Sequence, residues 1–158
     1  MRPYEVFASR FGAKVAFNSQ FILEKSQRYY LLNPRLKKVG QEDFFYAGLY
    51  LGKVGKNGGF FPSFNLLNLL VDVAANKVMV NRKAAWLFIC GRDVFQTGIV
   101  KVMGSKRKGD ATLVLNEFGE CLGFGMIMDN LNSSEGKVAV KNILDVGDFL
   151  RREKTEGF

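Results

Sequence analysis

The chain has 158 residues, 47% of them hydrophobic, with 23 Lys+Arg against 15 Asp+Glu and no histidine. That length and composition suit one ordinary domain or two small ones. The absence of histidine excludes Ser-His-Asp and Cys-His catalysis and histidine-ligated metal sites, while the formal charge of +8 points to a polyanionic partner.

Residues 3–12 read as a short helix, because Pro3 suits a first turn and Val6, Phe7 and Phe11 lie near helical spacing. KVAFN (14–18) and RYYLLN (28–33) are rich in β-branched or aromatic residues and read as strands. PRLKKVG (34–40) is a helical turn closed by Gly40. FFYAGLYLGKVG (44–55) and GFFPSFN (59–65), joined by KNGG, read as a hairpin. Phe60 and Phe61 then point to opposite faces, which leaves one of them for a partner. The clearest helix is SFNLLNLLVDVAAN, capped by Ser63 and stopped by Asn76. Its polar residues Asn65, Asn68 and Asp72 form one narrow stripe, so it is expected to be packed on several sides.

From Lys77 the texture changes. KVMVN alternates in the manner of a strand, and RKAAWLFICG is a short helix ended by Gly91. GIVKVMG, ATLVLNEFG, ECLGFGMIM and KVAVKNI follow as closely spaced strands, which suggests a small closed barrel. SKRKGD (105–110) and NLNSSEG are loops, and the first carries Lys106, Arg107 and Lys108 either as a solvated tip or as a specific contact. DVGDFLRREK ends the chain as a helix with Asp145 as cap and Asp148 in the first turn. These shifts divide the chain into domains 1–76 and 77–158.

Residues 1–76 carry 10 Lys+Arg against 5 Asp+Glu, and residues 77–158 carry 13 against 10. The basic charge is therefore spread along the chain, as expected of a nucleic-acid binder, with general solubility as the alternative. Cys90 and Cys121 lack CxxC spacing and read as buried reduced thiols. No metal site and no cofactor is expected. GLYLGKVGKNGG fails the phosphate-loop pattern, since three residues separate Gly48 from Gly52 and Val54 follows Lys53. GFGMIM places Met128 where a dinucleotide fingerprint needs its third glycine. Gly123 and Gly125 are instead expected to serve a bulge or a close backbone approach in a coiled strand. The adjacent carboxylates Glu42 and Asp43 are expected to be solvated. No apolar run is long enough to span a bilayer, and MRPYEVFASRFG lacks a secretory apolar core, so an intracellular protein is expected.

RKAAWLFICGRDVFQTGIVKV, KGD with TLVLNE, and GECLGFGMI resemble a PUA domain, the RNA-binding module named for pseudouridine synthases and archaeosine transglycosylases. With MRP, GLYLGKVGKNGGFFPSFNLLNLL, LGFGMIM and DVGDFLRRE included, the chain resembles the nuclear-import-seven family of large-ribosomal-subunit assembly factors. Its first 45 residues are shorter than in eukaryotic members, which points to the archaeal type. The resemblance implies an α+β protein: an N-terminal antiparallel sheet with helices, then a C-terminal PUA pseudo-barrel. It also implies a non-enzymatic RNA-binding factor for large-subunit assembly and pre-rRNA processing. Its partners would be single-stranded or irregular pre-rRNA and, through the N-terminal domain, ribosome-assembly or RNA-processing proteins. A cytoplasmic location follows for an archaeal member, and a nuclear or nucleolar one for a eukaryotic member. An RNA-modifying enzyme or its accessory subunit carrying a PUA domain, and a protein-interaction adaptor without RNA binding, remain the alternatives.

Phosphate binding calls for cations or backbone N–H groups. By resemblance the RNA contacts fall on Lys83, Arg92 and Gly98 around the first PUA helix and its loop, on Lys101 in the next strand, and on Arg151, Arg152 and Lys154 in the last helix. Gly98 is expected to let RNA backbone approach closely. Arg151 and Arg152, three and four residues after Asp148, could instead form helix-surface pairs with it.

Overall fold

The computed structural model describes residues 1–38, 48–131, 136–148 and 151. The chain forms two compact units, one made of Met1–Ser9 with Lys14–Val73, the other of Arg10–Ala13 with the chain from Ala74 onward.

The first unit begins with α1 (Pro3–Ser9), where the Arg2 backbone N–H donates to Glu5 Oε2 at 2.7 Å. Tyr4, Phe7 and Ala8 are its buried face, and Val6 faces outward. The helix ends at Ser9, short of the expected residue 12, and Gly12 follows at φ 67°. Residues 14–18 form no strand. Asn18 instead accepts from Gln20 N at 3.1 Å and opens a single 3-10 turn. The strand lies just beyond: β1 (Ile22–Lys25) pairs antiparallel with β2 (Arg28–Leu31). Ser26 and Gln27 join them at φ 50° and 62°, both left-handed, as a type I′ hairpin turn requires. Ser-Gln lacks the usual Asn-Gly signal, which is why β1 escapes a reading from composition.

Asn33 caps α2 (Pro34–Lys37), its Oδ1 accepting from Leu36 N at 2.8 Å. Gly40 and the 42–43 carboxylates lie outside the described residues. The expected hairpin forms from β3 (Leu49–Val54) and β4 (Phe60–Pro62), with Val54 opposite Phe60. The four strands lie in the order β1-β2-β3-β4, all antiparallel. Their core includes Tyr29, Tyr30 and Leu51, with the Tyr4 ring 5.7 Å from that of Tyr29. Phe60 turns inward, 5.7 Å from Phe7, and Phe61 outward at 53% exposure, as alternation demands.

α3 (Phe64–Val73) starts as expected, with Leu66 N donating to Ser63 Oγ. It buries Leu66, Leu67 and Leu70, but Leu69 and Val73 are exposed beside Asn65, Asn68 and Asp72. The helix is therefore packed on one side and not all round. It stops at Val73, before Asn76, which has another task in the second unit. There the Asn76 side chain donates to Ala111 O at 3.2 Å and accepts from Ser105 N at 2.9 Å.

The second unit holds β5 (Lys77–Val80), α4 (Arg82–Ile89), β6 (Val94–Phe95), β7 (Ile99–Met103), β8 (Ala111–Leu115), β9 (Cys121–Ile127) and β10 (Val138–Asp145). One sheet carries these strands in the order β6-β10-β9-β8-β5-β7, antiparallel except for β5 beside β8. Its edge strands β6 and β7 are joined by the turn Gln96–Gly98 alone. A flat six-stranded sheet would hold its edges about 24 Å apart, beyond the roughly 14 Å reach of that link. The sheet must therefore curl, and it forms a half-barrel, consistent with the expected PUA pseudo-barrel although not the fully closed barrel that the strand spacing suggested. Val78, Val80, Phe88, Val114, Ile127 and Val140 fill it.

The glycines of β9 explain how β10 closes against it. A Cβ on Gly123 would fall 1.9 Å from Leu144 O, and one on Gly125 2.3 Å from Lys141 O. Gly123 also sits at φ 145°. The β9–β10 register shifts between Asn142 and Leu144, so the bulge and close approach expected of these glycines are both present. Cys121 lies beside them, its thiol pushed by burial up to about 11. Cys90, expected to be buried, is exposed at the end of α4.

Candidate nucleic-acid interface

Asn81 starts α4 by accepting from Ala84 N at 2.9 Å, and Gly91 ends it at φ 88°. Over this helix the 3.6-residue period turns Phe88, Ala84 and Ala85 toward the core and sends Lys83, Trp86, Leu87 and Cys90 outward. Trp86, the chain's single tryptophan, is 65% exposed. The loop after the helix carries exposed Arg92, then Asp93, whose carboxylate accepts from Asn142 N at 2.9 Å. Phe95 follows at 48% exposure. An open pocket of about 190 Å³ lies here, lined among others by Lys83, Leu87, Asp93, Phe95, Thr97 and Gly98. Two of the expected contact residues, Lys83 and Gly98, thus share one pocket, with Arg92 in the loop that bounds it.

Gly98 owes its identity to packing. A Cβ there would come 2.6 Å from the Ala84 Cβ, and its carbonyl accepts from Asn81 N at 2.9 Å. The glycine lets the start of β7 press against α4, which is a different reason from the expected approach of RNA backbone. Lys101 is exposed on β7, opposite Met79, and does not line the pocket.

Arg151 is committed to the fold. Its guanidinium donates to Ile89 O at 2.8 Å and to Asp145 Oδ2 at 2.7 Å, and the side chain stays 44% exposed. The hydrogen bond with Asp145 foremost, and then that charge and Asp148, favour its protonated form. Asp145 is 2% exposed, ends β10, and accepts from Asn142 Nδ2 at 3.1 Å as well. Its Oδ1 has no hydrogen-bond partner. A buried carboxylate needs a counter-cation, and the carbonyls at the end of α4 need donors. Arg151 supplies both, and Asn142 Nδ2 adds a bond to Phe88 O at 2.9 Å. Gly91 leaves room for this: a Cβ on it would lie 3.2 Å from Arg151 Nη2. Arg152 and Lys154 lie outside the described residues.

The SKRKGD loop is tied down along its length. Ser105 Oγ donates to Asp110 Oδ2, Gly109 N to Ile127 O at 2.7 Å, and Leu131 N to Lys106 O at 3.1 Å. Asp110 also meets Arg107 at 3.3 Å, and its carboxyl is held below the usual range chiefly by the Ser105 hydrogen bond. Lys106 and Lys108 remain exposed.

Reading the sequence missed Trp86 and Phe95 as surface aromatics, and Asn142 and Asp145 as the seat of Arg151. Trp86 could have been found, because a helix that buries Phe88 and Ala85 must turn residue 86 outward. The Asp145 pairing joins positions six apart across a strand end, which no helical spacing reveals.

The chain is similar to known proteins over nearly all of its length. The family model described as the UPF0113 PUA domain matches residues 76–154. A UPF0113 protein of Archaeoglobus fulgidus is 33% identical over 136 residues, covering 84% of this chain and 76% of that protein. The 60S ribosome subunit biogenesis protein NIP7 homolog of Tetraodon nigroviridis is 24% identical over 140 residues, covering 84% and 78%. Among solved structures, a conserved PUA-domain protein from Thermoplasma acidophilum superposes with a TM-score of 0.61 at 25% identity, covering 94% of this chain and 90% of that one.

Proposed function

This chain belongs to the UPF0113 PUA-domain family, and from that premise we propose that it is an RNA-binding factor of ribosome biogenesis. More finely, it assists assembly of the large subunit and acts in pre-rRNA processing, without catalysing a reaction itself. Support for the finer reading comes from the Tetraodon relative, whose name is that of a 60S biogenesis protein. The partners are single-stranded or irregular pre-rRNA and, through the first unit, ribosome-assembly or RNA-processing proteins. The working location is the cytoplasm of an archaeal-type cell.

The observation that carries the RNA reading is the surface of α4 and its loop. Exposed Trp86 and Phe95 stand beside exposed Lys83 and Arg92, and no described carboxylate lies within ion-pair distance of either cation. An aromatic face for a base next to cations for the backbone is how proteins bind single strands. Lys83 and Arg92, with Lys101, Arg152 and Lys154, contact phosphate. Arg151 itself is tied to the end of α4 and to Asp145.

The test is binding of labelled single-stranded RNA across a salt series. Wild type should lose affinity steeply with salt, and a Lys83→Gln/Arg92→Gln pair should lower the log–log slope by about 1.4. Salt-insensitive or absent binding at low salt would refute the reading.

A further inference from the structure

A second cationic surface lies in the first unit, at the turn end of its sheet. The strand register sets Lys25 opposite Arg28, Arg28 opposite Lys53, and Lys53 opposite Phe61. Directly opposed residues of antiparallel strands share a face. One rung across all four strands therefore reads Lys, Arg, Lys, Phe. All four side chains are exposed. With strands about 4.8 Å apart, the three cations span roughly 10 Å.

The described strands beside Arg28 and Lys53 add no acid to this row. β2, β3, β4 and the turn 55–59 contain no Asp or Glu. The acid of β1, Glu24, is one residue from Lys25 and so faces the other side, opposite Tyr29. Opposed like charges destabilise a sheet, so folding alone does not favour the rung, and a bound anion would.

Phe61 completes it. A Cβ on Gly55 would lie 2.5 Å from Phe61 Cε2 and 3.2 Å from Cδ2, so the ring rests against the glycine backbone. It is propped in place by a residue with no side chain, and half of Phe61 stays open to solvent. We infer that this rung binds single-stranded nucleic acid, with Arg28 and Lys53 on backbone phosphates and Phe61 stacked on a base. An acidic protein segment would satisfy the cations but has no use for a supported aromatic face. The site uses none of the residues of α4 or its loop.

The experiment uses the full chain and a labelled oligo-uridine over a salt series. Arg28→Gln/Lys53→Gln should lower the log–log slope by about 1.4. Phe61→Ala should weaken binding about fivefold or more. Both effects should persist in a Lys83→Gln/Arg92→Gln background. Thermal unfolding gives an independent sign, because neutralising the rung should raise the unfolding midpoint while it weakens RNA binding. Unchanged affinity and slope in the rung variants, with binding lost in the Lys83→Gln/Arg92→Gln protein, would overturn the inference and leave the proposed function intact. Displacement of the RNA by polyglutamate as readily as by unlabelled oligo-uridine, with Phe61→Ala silent, would overturn it in favour of an acidic protein partner.

Discussion

The two units carry their positive charge in different ways. In the second, Arg107, Lys137 and Arg151 each meet a carboxylate, at 3.3, 3.6 and 2.7 Å. In the first, Lys25, Arg28 and Lys53 stand opposite one another on a sheet whose one acid, Glu24, faces the other side. Strand register thus brings three of the first unit's cations together, whereas three described cations of the second unit are drawn to carboxylates in its own loops and at Asp145. A cation's number in the sequence says little about its availability. What it faces across a strand or a turn decides that.

The largest effect should come from the backbone crossing that holds the second unit together. Gly123→Val places a side chain against Leu144 O at a φ of 145°. It should cost about 3 kcal/mol or more and lower the urea midpoint, or prevent folding altogether. A small loss would show that β10 can retreat and that the bulge is not essential.

Next is Trp86→Ala, which should weaken RNA binding by about 1–3 kcal/mol with little change in stability, because the side chain is largely outside the core. Titration by fluorescence anisotropy, with thermal unfolding as the control, separates the two.

Arg151 and Arg92 sharpen the contrast between spent and available charge. Arg92→Gln should lower the salt slope by about 0.7. Arg151→Gln should leave the slope nearly unchanged while lowering affinity several-fold and speeding amide exchange at the end of α4. Asp145→Asn decides its role. If Arg151 is a clasp, this change weakens RNA binding in parallel with Arg151→Gln. A phosphate ligand freed from Asp145 would bind RNA more tightly.

The smallest effect concerns the thiols. Burial raises Cys121 to about 11, so at pH 8 its thiolate is roughly a thousandth of the total, while Cys90 is exposed. Mass spectrometry after brief alkylation should find Cys90 modified and Cys121 spared. The raised value favours the neutral thiol of the folded state. That contribution is complete below the ordinary thiol range and fades as pH rises toward 11. Equal modification of both residues would mean that β9 opens readily.

Much of the architecture was legible in the residues themselves. Alternation in KVMV, the cap-bounded run from Ser63 and the turn chemistry of KNGG are local signals, and each led to the right element. Gly123 and Gly125 announced a close backbone crossing because glycine within a strand is otherwise unfavourable. Ser26-Gln27 did not announce its turn, since neither residue prefers a positive φ and the pairing of β1 with β2 imposes it. At the candidate site, Lys83 and Arg92 were legible as cations beside a PUA helix. The seat of Arg151 was not, because it joins a strand end, a helix end and the last described residue. The rung of Lys25, Arg28 and Lys53 was equally hidden, since sequence separations of 3 and 25 give no hint of adjacency.

Most element types and the family were legible in the residues, because these rest on periodicity, caps, glycines and motif residues within short windows, whereas the strand expected at 14–18 and the unread β1 show where local pattern fails. Which cations meet a carboxylate and which share a rung followed from the fold. A charge is neutralised or exposed by groups brought near it from other elements, and Coulomb interaction depends on that distance in space and not on position along the chain.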